Sequence, residues 1–224
     1  MGFCRKNIHR ARVLALALAA YLCVGCAGVH HAPAAPDTIR ADYTTFAGDH
    51  TLGERNAPVI LIQYDSPTCH HCAATLADSF PHIKAEYIDT GKLFYVYRVF
   101  PLERLDVQID SVARCLPPEK YLSFMATVLQ QQEKWNPYYG VKDARQGLAQ
   151  LAYNAGLSDQ DFNRCFTDVA ILDGVKQEDN AASLPFRIDG APTFVINGEI
   201  GLGNHGWPPL RDKIEAALAK SRPE

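Results

Sequence analysis

The chain has 224 residues, 47% of them hydrophobic and 21% charged, which supplies one core of ordinary size and excludes intrinsic disorder. Its 22 Lys and Arg stand against 25 Asp and Glu, and four of the basic residues (Arg5, Lys6, Arg10 and Arg12) sit near the N-terminus with no acid among them. The remainder is therefore acidic, and without a basic stripe of interleaved aromatics it speaks against nucleic acid as a partner.

In chain order, the basic stretch is followed by an apolar run at residues 13–24 and then by Gly25-Cys26-Ala27-Gly28. This is the layout of a secretory signal peptide, residues 1–26, and it is too short for a membrane span. Cys26 behind Leu22-Cys23-Val24-Gly25 resembles a bacterial lipoprotein signal, in which that cysteine carries a lipid anchor; Cys23 stands where such signals have leucine, and ordinary cleavage nearby is the alternative. Residues 27–43, with an Ala- and Pro-rich stretch, read as a flexible linker.

Residues 59–65 (VILIQYD) are the uninterrupted apolar run of a buried central strand. Ser66-Pro67-Thr68 breaks it, and residues 69–86 read as a helix that Pro81 should kink. Residues 93–100 (LFYVYRVF) form a second, aromatic strand. From 105 to 186 the pattern turns helical: residues 107–115, 118–132, 141–155 and 168–183 are predicted helices, and Ser158 begins another as an N-cap followed by acids. Strand character returns at residues 192–196, Asn197-Gly198 is a strong hairpin signal, and residues 209–220 close the chain as an amphipathic helix.

Cysteine usage divides the same way. Cys4, Cys23 and Cys26 belong to the leader, whereas Cys69, Cys72, Cys115 and Cys165 form an even set in a chain bound for an oxidising compartment. Cys69-His70-His71-Cys72 places two thiols three residues apart at the first turn of a helix following a buried strand. The unpaired N–H groups and partial positive charge of a helix start stabilise a thiolate. Cys69 is thus predicted to be the exposed nucleophile and Cys72 the buried resolving thiol. Imidazoles at His70 and His71 add to that stabilisation and favour an oxidising couple. A zinc site on Cys69, Cys72 and a histidine is the alternative, but no second Cys/His pair with metal spacing lies downstream. A further motif, Gly190-Ala191-Pro192-Thr193-Phe194, has a proline heading a buried strand, often a cis bond; an ordinary turn is the bland alternative.

Taken in order, Asn56-Ala57-Pro58, the buried strand, Ser66-x-Thr68-Cys69-x-His71-Cys72-Ala73, Tyr97-Arg98-x-Phe100-Pro101-Leu102 and Gly190-x-Pro192-Thr193-Phe194-x-Ile196-Asn197-Gly198 resemble the DsbA family of periplasmic disulfide oxidoreductases, in particular its alphaproteobacterial branch. The resemblance implies an α/β, thioredoxin-like fold in two parts, residues 44–104 and 187–222, around an inserted helical domain at 105–186. It implies Ala191-Pro192 facing the catalytic Cys69 and Cys72, and a structural disulfide between Cys115 and Cys165, against the alternative of two separate buried thiols. It also implies exported thiol proteins as substrates, a membrane thiol reoxidase as electron acceptor and no cofactor; residues 32–45 are too short for the added N-terminal domain through which isomerases of this kind dimerise, which favours a monomer. Three positions depart from the family: His70 replaces a common proline, Ala191 replaces valine or threonine, and Gln63 stands where a buried glutamate shuttles the proton of the resolving thiol. Asp65, two residues on and on the same strand face, is the candidate substitute. A disulfide isomerase or reductase of the same fold is the nearest rival function. A metal-binding or chaperone module using the same cysteines is the rival from another class.

Overall fold

The computed structural model describes residues 46, 48–201, 203 and 206–221. The expected signal peptide, the linker and the lipidation site at Cys26 lie outside the described residues. In chain order the strands are β1 (His50–Leu52), β2 (Val59–Asp65), β3 (Leu93–Val99), β4 (Thr193–Ile196) and β5 (Glu199–Ile200). The helices are α1 (His70–His82), α2 (Arg104–Arg114), α3 (Pro118–Gln130), α4 (Ala144–Asn154), α5 (Asp159–Thr167), α6 (Val169–Ser183) and α7 (Trp207–Lys220).

The sheet order is β1-β3-β2-β4-β5, so β2 is central. It runs parallel to β3 and antiparallel to β4, and all seven of its residues are buried. A strand apolar on both faces needs cover on both. Val59 and Leu61 look into a core shared with Ile83, Tyr87, Ile214 and the helical block, while Ile60, Ile62 and Tyr64 pack with Phe94, Val96 and Val195 on the other face. Tyr64 then needs a partner for its hydroxyl; it donates to the carbonyl of Ala182 and accepts from Arg98, whose guanidinium pairs with Asp49 at 2.6 Å. The helices α2 to α6 all lie between β3 and β4, as an insertion within the strand–helix frame.

The elements depart from the sequence expectation at their ends. The first helix begins one residue later, with Cys69 as its N-cap, and changes at His82 into a π-helical turn, Ile83–Ile88. Pro81 has no N–H for the i−4 carbonyl and its ring crowds that carbonyl, which is where such a change of hydrogen-bond register is expected. Helix α2 starts at Arg104 rather than 107, because Glu103 and Asp106 form a reciprocal capping box. Helix α4 starts at Ala144 rather than 141, where Asp143 caps the amide of Gln146. Helix α7 starts at Trp207, with prolines in its first turn, where a missing N–H costs nothing. Strand β1 has no counterpart in the sequence reading.

The hairpin between β4 and β5 turns on Asn197 and Gly198, with φ of 47° and 83°, the left-handed region that an Asn-Gly pair tolerates. Asn197 also accepts from the amide of Ile60 at 2.8 Å, which fixes the register of β4 against β2.

Candidate active site

The end of β2 delivers the chain into the turn Ser66-Pro67-Thr68, and Cys69 follows in extended conformation (φ −77°, ψ 116°) as the N-cap of α1. An N-cap side chain sits over the free amides of the first turn. The Cys69 sulfur accordingly accepts from the amide of Cys72 at 3.3 Å and lies 3.7 Å from the carbonyl oxygen of Ala191. The Ala191–Pro192 peptide is cis and presents that carbonyl towards the sulfur. Cys69 is half-buried and Cys72 has no exposure at all. Both are free thiols here.

The two thiols are driven apart electrostatically. Hydrogen bonding from the Cys72 thiol, the amides of Cys72 and His71, and the charge of His71 outweigh partial burial and bring Cys69 down to about 6. Burial, its hydrogen bond to Cys69 and the charge of Asp65 push the Cys72 thiol far up. One sulfur is therefore an anion at neutral pH and the other keeps its proton, which is the division of labour that exchange chemistry needs. The ring of His70 stacks on Tyr138, with centroids 4.5 Å apart and planes within 8°, and lies 4.0 Å from the ring of His71. Of the two imidazoles, the charge of His71 is the one that acts on Cys69.

Beneath Cys72, Gln63 and Asp65 share a face of β2, as the period of two requires. Gln63 donates from Nε2 to Asp65 at 2.7 Å and accepts from the Tyr95 hydroxyl at 2.9 Å. Asp65 is fully buried, and one of its oxygens, Oδ1, has no hydrogen-bond partner among the described residues. Burial raises its carboxyl to about 7, with the charge of Cys69 adding to the rise and hydrogen bonds from Gln63 and Cys72 opposing it. The only ionisable carboxyl of this pair thus stands beside the Cys72 thiol.

The turn before Cys69 is held by a residue that the sequence reading missed. Asp106, buried at the start of α2, accepts from the amide of Thr68 at 2.8 Å, from the hydroxyls of Ser66 and Thr68, and from the amides of Leu102 and Glu103. Burial raises its carboxyl and those donors pull it back. A Glu-x-x-Asp pair before an apolar helical run is the available signal, and it points to a helix cap, not to a contact across 38 residues. Further from the site, the sulfurs of Cys115, just after α2, and Cys165, in α5, are bonded to each other across a separation of 50 residues. Among the described residues no group of three or more His, Cys, Asp or Glu side chains is placed to hold a metal ion.

Residues 45–216 match the family model described as thioredoxin. The chain belongs to the thioredoxin family. Within it, the chain is similar to proteins named as protein-disulfide oxidoreductases in Rickettsia bellii (27% identity over 83% of this chain and 70% of that one) and Rickettsia prowazekii (32% over 80% and 66%). It thus spans about two thirds of the length of these relatives. Its fold matches the crystal structure of Wolbachia pipientis alpha-DsbA1 with a TM-score of 0.70 at 29% identity, covering 79% of this chain and 94% of that one. The chain is a DsbA-like member of the family, with a disulfide oxidoreductase's fold and cysteine pair.

Proposed function

We propose that this DsbA-like chain is exported through its N-terminal signal, residues 1–26, and introduces disulfide bonds into exported proteins by exchange at Cys69 and Cys72. The observation that carries the reading is the contrast between the two sulfurs: an acidic Cys69 at the helix start, facing Ala191, and a buried Cys72 whose thiol resists ionisation. A couple whose reduced form is stabilised in this way is oxidising.

The steps follow from that contrast. In the oxidised enzyme, a client thiolate attacks Cys69, forming a client–Cys69 disulfide and breaking the Cys69–Cys72 bond, so that Cys72 leaves with the electron pair. Asp65, poised near neutrality beside it, gives Cys72 its proton. A second client thiolate then attacks the client's sulfur in the mixed disulfide, and Cys69 leaves as the stabilised thiolate. The client loses two electrons and the enzyme gains them as a thiol and a thiolate. A membrane thiol reoxidase withdraws them in the next cycle, Asp65 then serving as the base that takes the Cys72 proton. Pro192 and Ala191 line the place where the client's backbone lies; the small side chain of Ala191 admits clients that a bulkier residue there excludes. The bond between Cys115 and Cys165 has a structural role, and Cys26 is the point of lipid attachment if the signal is of lipoprotein type; no helix among the described residues is long and apolar enough to cross a membrane.

The test is a glutathione redox titration of the Cys69–Cys72 pair run beside oxidative refolding of a reduced, disulfide-containing protein. An oxidising potential, within about 60 mV of −120 mV, with refolding activity that Cys69→Ser abolishes supports the reading. A potential near that of thioredoxin, about −270 mV, with no refolding activity favours a reductase instead.

A further inference from the structure

Three consecutive carbonyls at the nucleophile, those of Pro67, Thr68 and Cys69, accept hydrogen bonds from side chains of the helical insertion. A buried carbonyl needs a donor, and only the carbonyl of Cys69 has one within its own element, the amide of Ala73. The donors come instead from one short segment that follows α3. Gln132, 2% exposed, donates from Nε2 to the carbonyl of Pro67 at 2.6 Å and to that of Cys69 at 3.2 Å. Asn136, 3% exposed, donates from Nδ2 to the carbonyl of Thr68 at 2.8 Å, while its Oδ1 accepts from the amide of Tyr138 at 3.0 Å. That second bond caps the 3₁₀ turn Pro137–Tyr139, whose Tyr138 stacks on His70. Two side-chain amides thus grip the turn on which Cys69 is mounted, and one of them also places the ring over His70.

The segment is itself pressed into place. Trp135, between the two amides, has no exposure and bonds through its indole N–H to the carbonyl of Val128 at 2.9 Å. Behind it runs α4, and Gly147 there leaves no room for a side chain: a Cβ at that position would stand 2.5 Å from the carbonyl oxygen of Lys134 and 2.7 Å from the Cβ of Trp135. Glycine inside a helix costs about 1 kcal/mol relative to alanine, and here only glycine lets α4 approach so closely.

We propose that Gln132 and Asn136, held against the nucleophile's turn by Trp135 and the bare backbone of Gly147, are positioning residues that set the reactivity of Cys69. The physical link is alignment. The amides of His71 and Cys72 stabilise the Cys69 anion only while Cys69 keeps its extended N-cap conformation over the first turn of α1. Freeing the carbonyls on either side of Cys69 lets that conformation relax and the sulfur lose its donors. The helical insertion is then part of the redox centre rather than a lid attached to it.

The proposal rests on Cys69 being the reactive thiolate, and the experiment separates the two. Alkylation of Cys69 by iodoacetamide is followed against pH by mass spectrometry in the wild-type chain and in Gln132→Met, Asn136→Ala and Gly147→Ala. The first of these keeps the packing volume and removes only the amide. The double variant Cys115→Ser/Cys165→Ser is the control, destabilised far from the turn. Loss of one well-made hydrogen bond corresponds to an upward shift of the midpoint of about half to one pH unit. Such a shift in Gln132→Met and in at least one of the other two, with the control unmoved, establishes the positioning role. Variant midpoints equal to an acidic wild-type midpoint overturn it and leave the oxidoreductase reading intact, as does a shift in the control of the same size, which makes the effect one of stability alone. A wild-type midpoint at an ordinary thiol value removes the premise and the proposal with it.

Discussion

Replacing Asp65 by asparagine tests the buried carboxyl by two readouts that move in opposite directions. Asp65 has no exposure, and its carboxyl rises from an ordinary value near 4 to about 7, chiefly through burial. A carboxyl whose folded value is raised favours the folded state fully below its unfolded value, and that contribution is lost as pH rises through the folded value. The window is therefore roughly pH 4 to 7. Three units at 1.36 kcal/mol each amount to about 4 kcal/mol of stability that the wild type loses across the window and Asp65→Asn retains. Denaturant unfolding of both reduced proteins at pH 4.5, 6 and 8 measures this: the difference between variant and wild type should grow with pH in favour of the variant, approaching about 4 kcal/mol. At the same time the variant has no group to exchange a proton with Cys72, so its thiol oxidation near neutrality should fall by a factor on the order of 10². A stability difference independent of pH would refute the raised carboxyl, and unimpaired oxidation would refute its part in proton transfer.

Breaking the bond between Cys115 and Cys165 by a double serine substitution opens a loop of about 50 residues. The chain-entropy argument gives a loss of roughly 4 kcal/mol, or a Tm lower by about 10 °C in a thermal melt, with the Cys69–Cys72 potential unchanged. Replacing His71 by leucine removes a charge that acidifies Cys69. The Cys69 midpoint should rise by about half a unit or more and the glutathione equilibrium should shift towards the enzyme disulfide. A bulkier residue in place of Ala191, such as valine, should alter the ranking of cysteine-containing test peptides by rate while leaving the potential within about 10 mV, because it changes what fits beside the sulfur rather than the sulfur itself.

What the sequence disclosed was whatever depends on neighbours in the chain. The run at 59–65 needs no partner to read as a central strand, and the cysteines at the start of the next helix carry their chemistry through that helix's own amides. The period of two put Gln63 and Asp65 on one face, and Asn197-Gly198 announced its hairpin. Strand β1 left no trace because His50-Thr51-Leu52 is too short to alternate and exists only by pairing with β3. Helix starts at Arg104 and Ala144 were misplaced because capping by Glu103, Asp106 and Asp143 extends a helix beyond its apolar pattern. The largest omission was the polar holding of the turn before Cys69. Asp106, Gln132 and Asn136 reach it across separations of 38, 65 and 68 residues, and a lone buried amide or acid in a helical stretch has no periodicity to mark its partner. Nor does sequence say how two neighbouring imidazoles orient: His70 is stacked on Tyr138, a residue that only the packing of the insertion brings to it.

The ionisation of one sulfur decides the exchange chemistry, and the rate of Cys69 alkylation as a function of pH measures it directly in the reduced wild-type chain. The result predicted is a midpoint at about 6, with Cys72 unreactive throughout the accessible range. A midpoint at the ordinary thiol value of about 8.5, or Cys72 reacting first, would contradict the claim that the start of α1 holds a thiolate there.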